Sequence, residues 1–125
     1  MLADKDAMAT IAVKSLAAAK KFYLEKLGFS PIGNEAADVV TLRSGKSTIV
    51  VYESQFAGTN KSTSATWGVG NEMDSIVRSL KNAGVTFEHY DLPGLKREGD
   101  VHVAGTFKAA WFKDLDGNIL HINNQ

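Results

Sequence analysis

Along ATIAV at residues 9–13 the apolar Ala9, Ile11 and Val13 alternate with Thr10 and Ala12, the period-two signature of a half-buried strand. A helical pattern follows, opened by Ser15 in the N-cap position and closed by Gly28 at C′. Next come a strand, FSPIG, and a hairpin, DVVTLRSGKSTIVVYE, whose turn contains Gly45. The same order then recurs. A strand at 65–69 leads to Asn71 as a cap with Asp74 three residues on, and to a helical pattern ending at Gly84. VTFEHY reads as another strand, and FKAAWFKDLDGNILHI as a closing hairpin turning at Gly117.

The recurrence extends to residue identities. Residues 9–28 and 65–84, offset by 56, share Ala9/Ala65, Thr10/Thr66, Val13/Val69, Leu24/Leu80 and Gly28/Gly84. From strand valine to cap glycine the spacing is 15 residues in both copies. Each half therefore reads as βαβββ, and the chain as an α+β protein built by internal repetition. Residues 1–125 form a single domain in this reading, with module one at about 7–54, a polar, glycine-containing linker at about 55–63 and module two at about 64–125. Residues 91–105, DLPGLKREGDVHVAG, are an insertion too long for a simple hairpin loop, either a lid or binding loop or a plain surface excursion.

The two first strands carry different faces. Ala9, Ile11 and Val13, and in the repeat Ala65, Trp67 and Val69, suit packing under the helices. Met8, Thr10 and Ala12, with Ser64, Thr66 and Gly68, are mostly small or polar and suit the wall of a cavity, or else a wet sheet face. His121 shares its strand face with Ile119 and Asn123. Its imidazole reads as a cavity-facing hydrogen-bond donor, acid or base, or as a satisfied structural histidine. Glu53 continues the face of Ile49 and Val51 and is the second acid–base candidate, unless it is solvated at its strand end. Trp111 and Phe112 must point to opposite faces, so one aromatic looks toward the cavity side, where with Tyr52 or Phe107 it could stack on a flat ligand. His89 and Tyr90 lead into the insertion and His102 leaves it.

Composition narrows the chemistry. Fourteen Lys plus Arg balance fourteen Asp plus Glu, which disfavours nucleic acid as a partner. The chain has no cysteine, hence no thiolate nucleophile, disulfide framework or sulfur ligand. Charges interrupt the N-terminal MLADKDAMATIAV where a signal peptide needs an apolar run, and no stretch approaches the roughly 20 apolar residues of a membrane span. The expectation is a cytoplasmic protein with no membrane partner.

The runs AVKSLAAAKKFYLEKLGF and AAWFKDLDGNILHI, on paired βαβββ modules, resemble the vicinal oxygen chelate superfamily of glyoxalase I, bleomycin-resistance proteins, fosfomycin-resistance enzymes and extradiol dioxygenases. The resemblance covers nearly the whole chain, and Leu115 stands where the usual Asp-Pro-Asp-Gly turn has proline. It implies two modules pairing into a curved mixed-sheet cleft, and a homodimer. Metal-dependent members hold a divalent ion with donors from the first strand and the last strand of each module. The first-strand position, five residues before Val13, falls on Met8, and its repeat equivalent on Ser64, or on Thr66 after a shift of two. The last strand of module one offers Ile49 or Val51, and that of module two His121, four residues after Gly117. One imidazole among such residues is a poor match to Mg²⁺, Mn²⁺, Fe²⁺ or Zn²⁺. The resemblance therefore points to a small organic molecule bound without a cofactor, with Met8, Thr10, Val51, Ser64, Thr66, Trp111, His121 and Asn123 as its candidate contacts. The alternative is a divalent-metal lyase, isomerase or dioxygenase with a rearranged ligand set.

Overall fold

The computed structural model describes residues 1–125, with side chains at all positions except 34 and 35. It resolves into two compact units, Met1–Ala57 and Gly58–Gln125, each carrying one βαβββ module around a mixed sheet. Among the described residues no helix is long and apolar enough to cross a membrane.

In the first unit, strand β1 (Ala9–Val13) lies parallel to β4 (Ser47–Glu53), which pairs antiparallel with β3 (Val39–Ser44); β2 (Ser30–Ala36) forms the far edge. Register puts Ile11 beside Val51 and Val51 beside Val40, so these three share a face, and all are buried. The helix supplies Leu16, Ala19, Phe22 and Tyr23 to the same core. Its α1 segment (Leu16–Lys20) starts at Ser15, whose Oγ accepts from Ala18 N–H at 3.3 Å, and continues as a π-helix over Lys21–Lys26. The wider π turn sets Phe22 and Tyr23 edge to face, with ring centroids 5.2 Å apart.

In the second unit, β5 (Thr63–Gly68) runs parallel to β10 (Ile119–Asn123), followed in order by β9 (Phe107–Lys113), β8 (Val101–Ala104) and β7 (Lys96–Glu98). Helix α2 (Met73–Asn82) presents the buried stripe Met73, Val77 and Leu80. Its C-terminus closes as expected at Gly84 (φ 88°), with Val85 N–H bonded to Leu80 O and Gly84 N–H to Lys81 O. Its start differs from the sequence reading. Asn71 lies inside a 3₁₀ turn, Gly70–Glu72, and no side chain caps α2, because Val69 and Gly70 donate their N–H groups to the carbonyls of Asn123 and Gln125. Trp67, expected in the core, is half-buried.

The insertion is the other departure. VTFEHY yields only a two-residue strand, β6 (Phe87–Glu88), paired with β9 at Phe112 and Trp111. The segment expected as a loop forms the β7–β8 hairpin, and β8 joins the same edge of β9 at Phe107, Lys108 and Ala109. β6 and β8 thus lie end to end along the same side of β9, with β7 outside β8. The interruption is held at its neck: Asp100 accepts from Lys81 Nζ at 2.8 Å and pairs with His89 Nε2 at 2.7 Å.

Candidate functional site

Sheet register in module two collects the chemically active side chains on one face. The row Thr66, His121, Trp111, Glu88 crosses β5, β10, β9 and β6, and the row Gly68, Asn123, Ala109, His102 crosses β5, β10, β9 and β8. Alternation puts Phe112, Leu120 and Ile122 on the opposite, buried face. Trp111 and Phe112 do divide between faces, and Trp111 is the one on the open side.

Trp111 organises the face. Its indole stacks on the His121 ring at 4.5 Å and 25°, and it meets Tyr90 and His102 edge to face at 5.5 and 4.9 Å. Beside it opens a groove of about 520 Å³, lined by Trp111, Tyr90, Leu92, Ile119, Glu88 and Lys113. That volume lies within the roughly 300–1,000 Å³ usual for small-molecule sites. Tyr90 and Leu92 come from the segment that leads from β6 into the β7–β8 hairpin, so the entry to the insertion builds one wall. Lys113 Nζ and Glu88 Oε1 form an ion pair at 3.1 Å on the rim. Burial, reinforced by the Glu88 carboxylate and opposed by Lys113, raises the Tyr90 pKa, which keeps its hydroxyl protonated.

His121 is half-buried, and both ring nitrogens are engaged. Nδ1 lies 3.0 Å from Ala110 O and must donate, since a carbonyl only accepts. Nε2 lies 3.2 Å from Asn123 Nδ2, and the Asn123 amide is oriented by Gln125 N–H bonding its Oδ1 at 3.1 Å. The ring is therefore the neutral Nδ1–H tautomer. Burial lowers its pKa, with a further push from His102, against the opposing Ala110 carbonyl. A proton-transfer or ligating role for Nε2 first requires the Asn123 amide to leave.

His102, which the sequence placed only near a lid, is 1 % exposed. Its Nε2 accepts from Tyr90 N–H at 3.0 Å, which ties the two ends of the insertion together. That bond leaves the proton on Nδ1, a buried atom with no partner among the described residues. Its signal in the sequence was VHVA at 101–104, an alternation hidden by its position inside an apparent loop.

The other expected contacts scatter. Thr66 is exposed beside His121, and Ser64 falls in a β-bulge, where Thr63 faces Ile119 but Ala65 faces Leu120. Met8 is 54 % exposed and borders a separate groove of about 600 Å³ with Asp6, Lys46 and Thr48, while Thr10 is exposed on the open face of module one. Val51 is corrected: at 1 % exposure it is a core residue, because β4 turns Ile49 and Val51 toward α1 and leaves Val50 and Tyr52 on the open side. Glu53 is corrected too. Its Oε2 accepts from Leu16 N–H at 3.0 Å, so the carboxylate serves the first turn of α1 on the helix side of the sheet.

Residues 7–122 match the model of the Glyoxalase/Bleomycin resistance protein/Dioxygenase superfamily. The chain belongs to this superfamily. A glyoxalase family protein from Enterococcus faecalis is 21% identical, with a TM-score of 0.72 over 98% of this chain and 99% of that one. The fosfomycin resistance protein FosX from Listeria monocytogenes is 14% identical, with a TM-score of 0.68 over 98% and 91%. A hypothetical protein from S. aureus is 24% identical, with a TM-score of 0.66 over 97% of each chain. These likenesses establish the glyoxalase-type α+β fold. No curated protein matches the sequence.

Within the superfamily, metal-dependent members require a set of hard or imidazole donors, and the residues here do not fit one. The corresponding positions supply a thioether at Met8, an aliphatic side chain at Ile49 or Val51, a hydroxyl at Ser64 or Thr66, and the imidazole of His121 with both nitrogens hydrogen-bonded. Among the described residues no three His, Asp or Glu side chains gather where they could hold an ion.

Proposed function

We propose that this superfamily member binds a small organic molecule in the module-two groove beside Trp111, as a sequestering or carrier protein of the bleomycin-resistance kind rather than a metal-dependent catalyst. The observation that carries this reading is the wall itself. The stapled neck of the insertion holds Tyr90 against Trp111, and Leu92 and Ile119 complete the apolar lining of the groove. Binding needs such complementarity and no reacting group, and the two acid–base candidates, His121 and Glu53, are occupied by Asn123 and Leu16.

Isothermal titration against a panel of aromatic, cationic and dicarbonyl compounds tests it. At least one aromatic compound binds, and Trp111→Ala weakens it roughly tenfold, the scale of a lost aromatic contact together with its buried area. A panel that yields no heat of binding, or a ligand indifferent to Trp111→Ala in a variant that still melts cooperatively, would sink the reading.

A further inference from the structure

The groove also carries a charge pattern that selects among small molecules. Its lining also includes Lys61, Ser62 and Thr63, where the linker enters β5. Asn60 Oδ1 accepts from Ser62 N–H at 2.9 Å, an Asx turn that fixes the backbone on either side of Lys61. Lys61 itself makes no ion pair among the described residues. The remaining charges in the groove are Glu88 and Lys113, which neutralise each other at 3.1 Å. Tyr90 is held as a neutral phenol, so it adds a hydroxyl donor and no negative charge. One ammonium is thus left unbalanced beside two hydroxyl side chains, in a groove whose remaining lining is aromatic and aliphatic.

Resting on the binding function proposed above, we infer that the groove takes a planar aromatic carboxylate, its ring against Trp111 and Tyr90 and its anion toward Lys61. A cationic ligand is disfavoured because the carboxylate that would receive it, Glu88, is already paired with Lys113. A neutral ring fills the wall but leaves Lys61 unanswered. The ion pair lies at a solvated rim, so its expected worth is a modest factor in affinity rather than the whole of it.

The test uses three isosteric probes: naphthoate, naphthamide and naphthylmethylammonium. Each is titrated at low salt into ¹⁵N-labelled full-length protein while the indole N–H signal of Trp111 is followed, with Trp67 as the internal control. Naphthoate should shift the Trp111 signal and bind roughly fivefold tighter than naphthamide, the ratio expected of a single partly screened charge pair. Lys61→Gln, a substitution at an exposed position, should erase that advantage and leave naphthamide affinity as it was. Equal affinity for naphthoate and naphthamide, tightest binding of naphthylmethylammonium, or a naphthoate affinity unmoved by Lys61→Gln would overturn the charge assignment while the groove stands. If none of the three shifts Trp111, the groove is not a binding site and the inference falls with it.

Discussion

The two modules share one strand order and differ in what they do with it. In module one the outer edge strand, β2, runs as a single strand on β3, and the open face beside it carries Thr10, Ala12, Thr48 and Val50. In module two the corresponding place beside β9 is divided between β6 and β8, and the segment between them carries β7, which pairs with β8 to extend the sheet, while Trp111 meets His102 and His121 on the open face. All three histidines of the chain lie in module two. The sheet tolerates such an interruption because each remnant keeps its own ladder to β9, and residues 91–99 between them are mostly exposed. The same strand order therefore serves as a scaffold twice, and in module two it carries the Trp111, Tyr90 and His121 ring cluster.

The sharpest way to break this division is to mutate adjacent residues on opposite faces. Phe112 is 2 % exposed and meets Phe87 at 5.7 Å, so Phe112→Ala should cost about 3–5 kcal/mol in urea unfolding. The Trp111→Ala effect on binding should come with a markedly smaller loss. Similar losses of stability at 111 and 112 would mean the open face is core after all. Module one offers the matching pair: Val51→Ala should cost about 2 kcal/mol and Val50→Ala clearly less.

The turns of the closing hairpins sharpen the same contrast. Module one turns through Gly45 and Lys46, whereas module two turns around Asp114, buried at 7 % exposure. Asp114 Oδ1 accepts from Asp116 N–H and Asn118 N–H, both at 2.9 Å, and its Oδ2 from Asn118 Nδ2 at 2.7 Å. Asp114→Ala removes the acceptor of these three bonds and should cost about 2 kcal/mol by chemical denaturation, against little change for Lys46→Ala. Gly58 belongs to this lock, since a Cβ there would lie 1.8 Å from Asp116 O. At the insertion's neck the effect should be smaller still. Lys81, then His89, hold the Asp100 carboxyl below its usual range. Asp100→Asn should cost under about 1 kcal/mol globally, as exposed ion pairs do, while amide exchange over 96–104 quickens. Unchanged exchange there would show that the neck does not restrain the hairpin.

How much of this was legible follows from which signals are local. The repeat, Ser15, Gly28, Gly84 and the hairpin glycines are set by backbone conformation, and period-two alternation separated Trp111 from Phe112. Val51 was misplaced because which of two alternating faces looks inward is decided by the helix that packs there. Glu53 was misread since its partner, Leu16 N–H, lies 37 residues away in sequence. The insertion hid because a charged three-residue strand, Lys96–Glu98, has no apolar period to betray it. His102 hid with it.

The smallest predicted effect concerns His121, and it bears on the comparison because module one has no imidazole to answer with. Burial lowers the folded-state pKa of His121 below the ordinary 6.5. Above that value the ring is neutral in both folded and unfolded chains, and its hydrogen bonds to Ala110 and Asn123 stand. As pH falls through the unfolded value and on through the lower folded one, the unfolded chain gains a proton that the folded ring resists, so stability declines. The loss is small because the ring is only half-buried. A ring-proton NMR titration should place the His121 midpoint below 6.5, and His121→Gln should remove part of the loss of stability between neutral and mildly acid pH. A midpoint at or above 6.5 would mean that the imidazolium is accommodated, which the Ala110 carbonyl permits but the Asn123 amide does not. That outcome would release Nε2 from its assigned partner and return His121 to the list of groups able to move a proton on the open face.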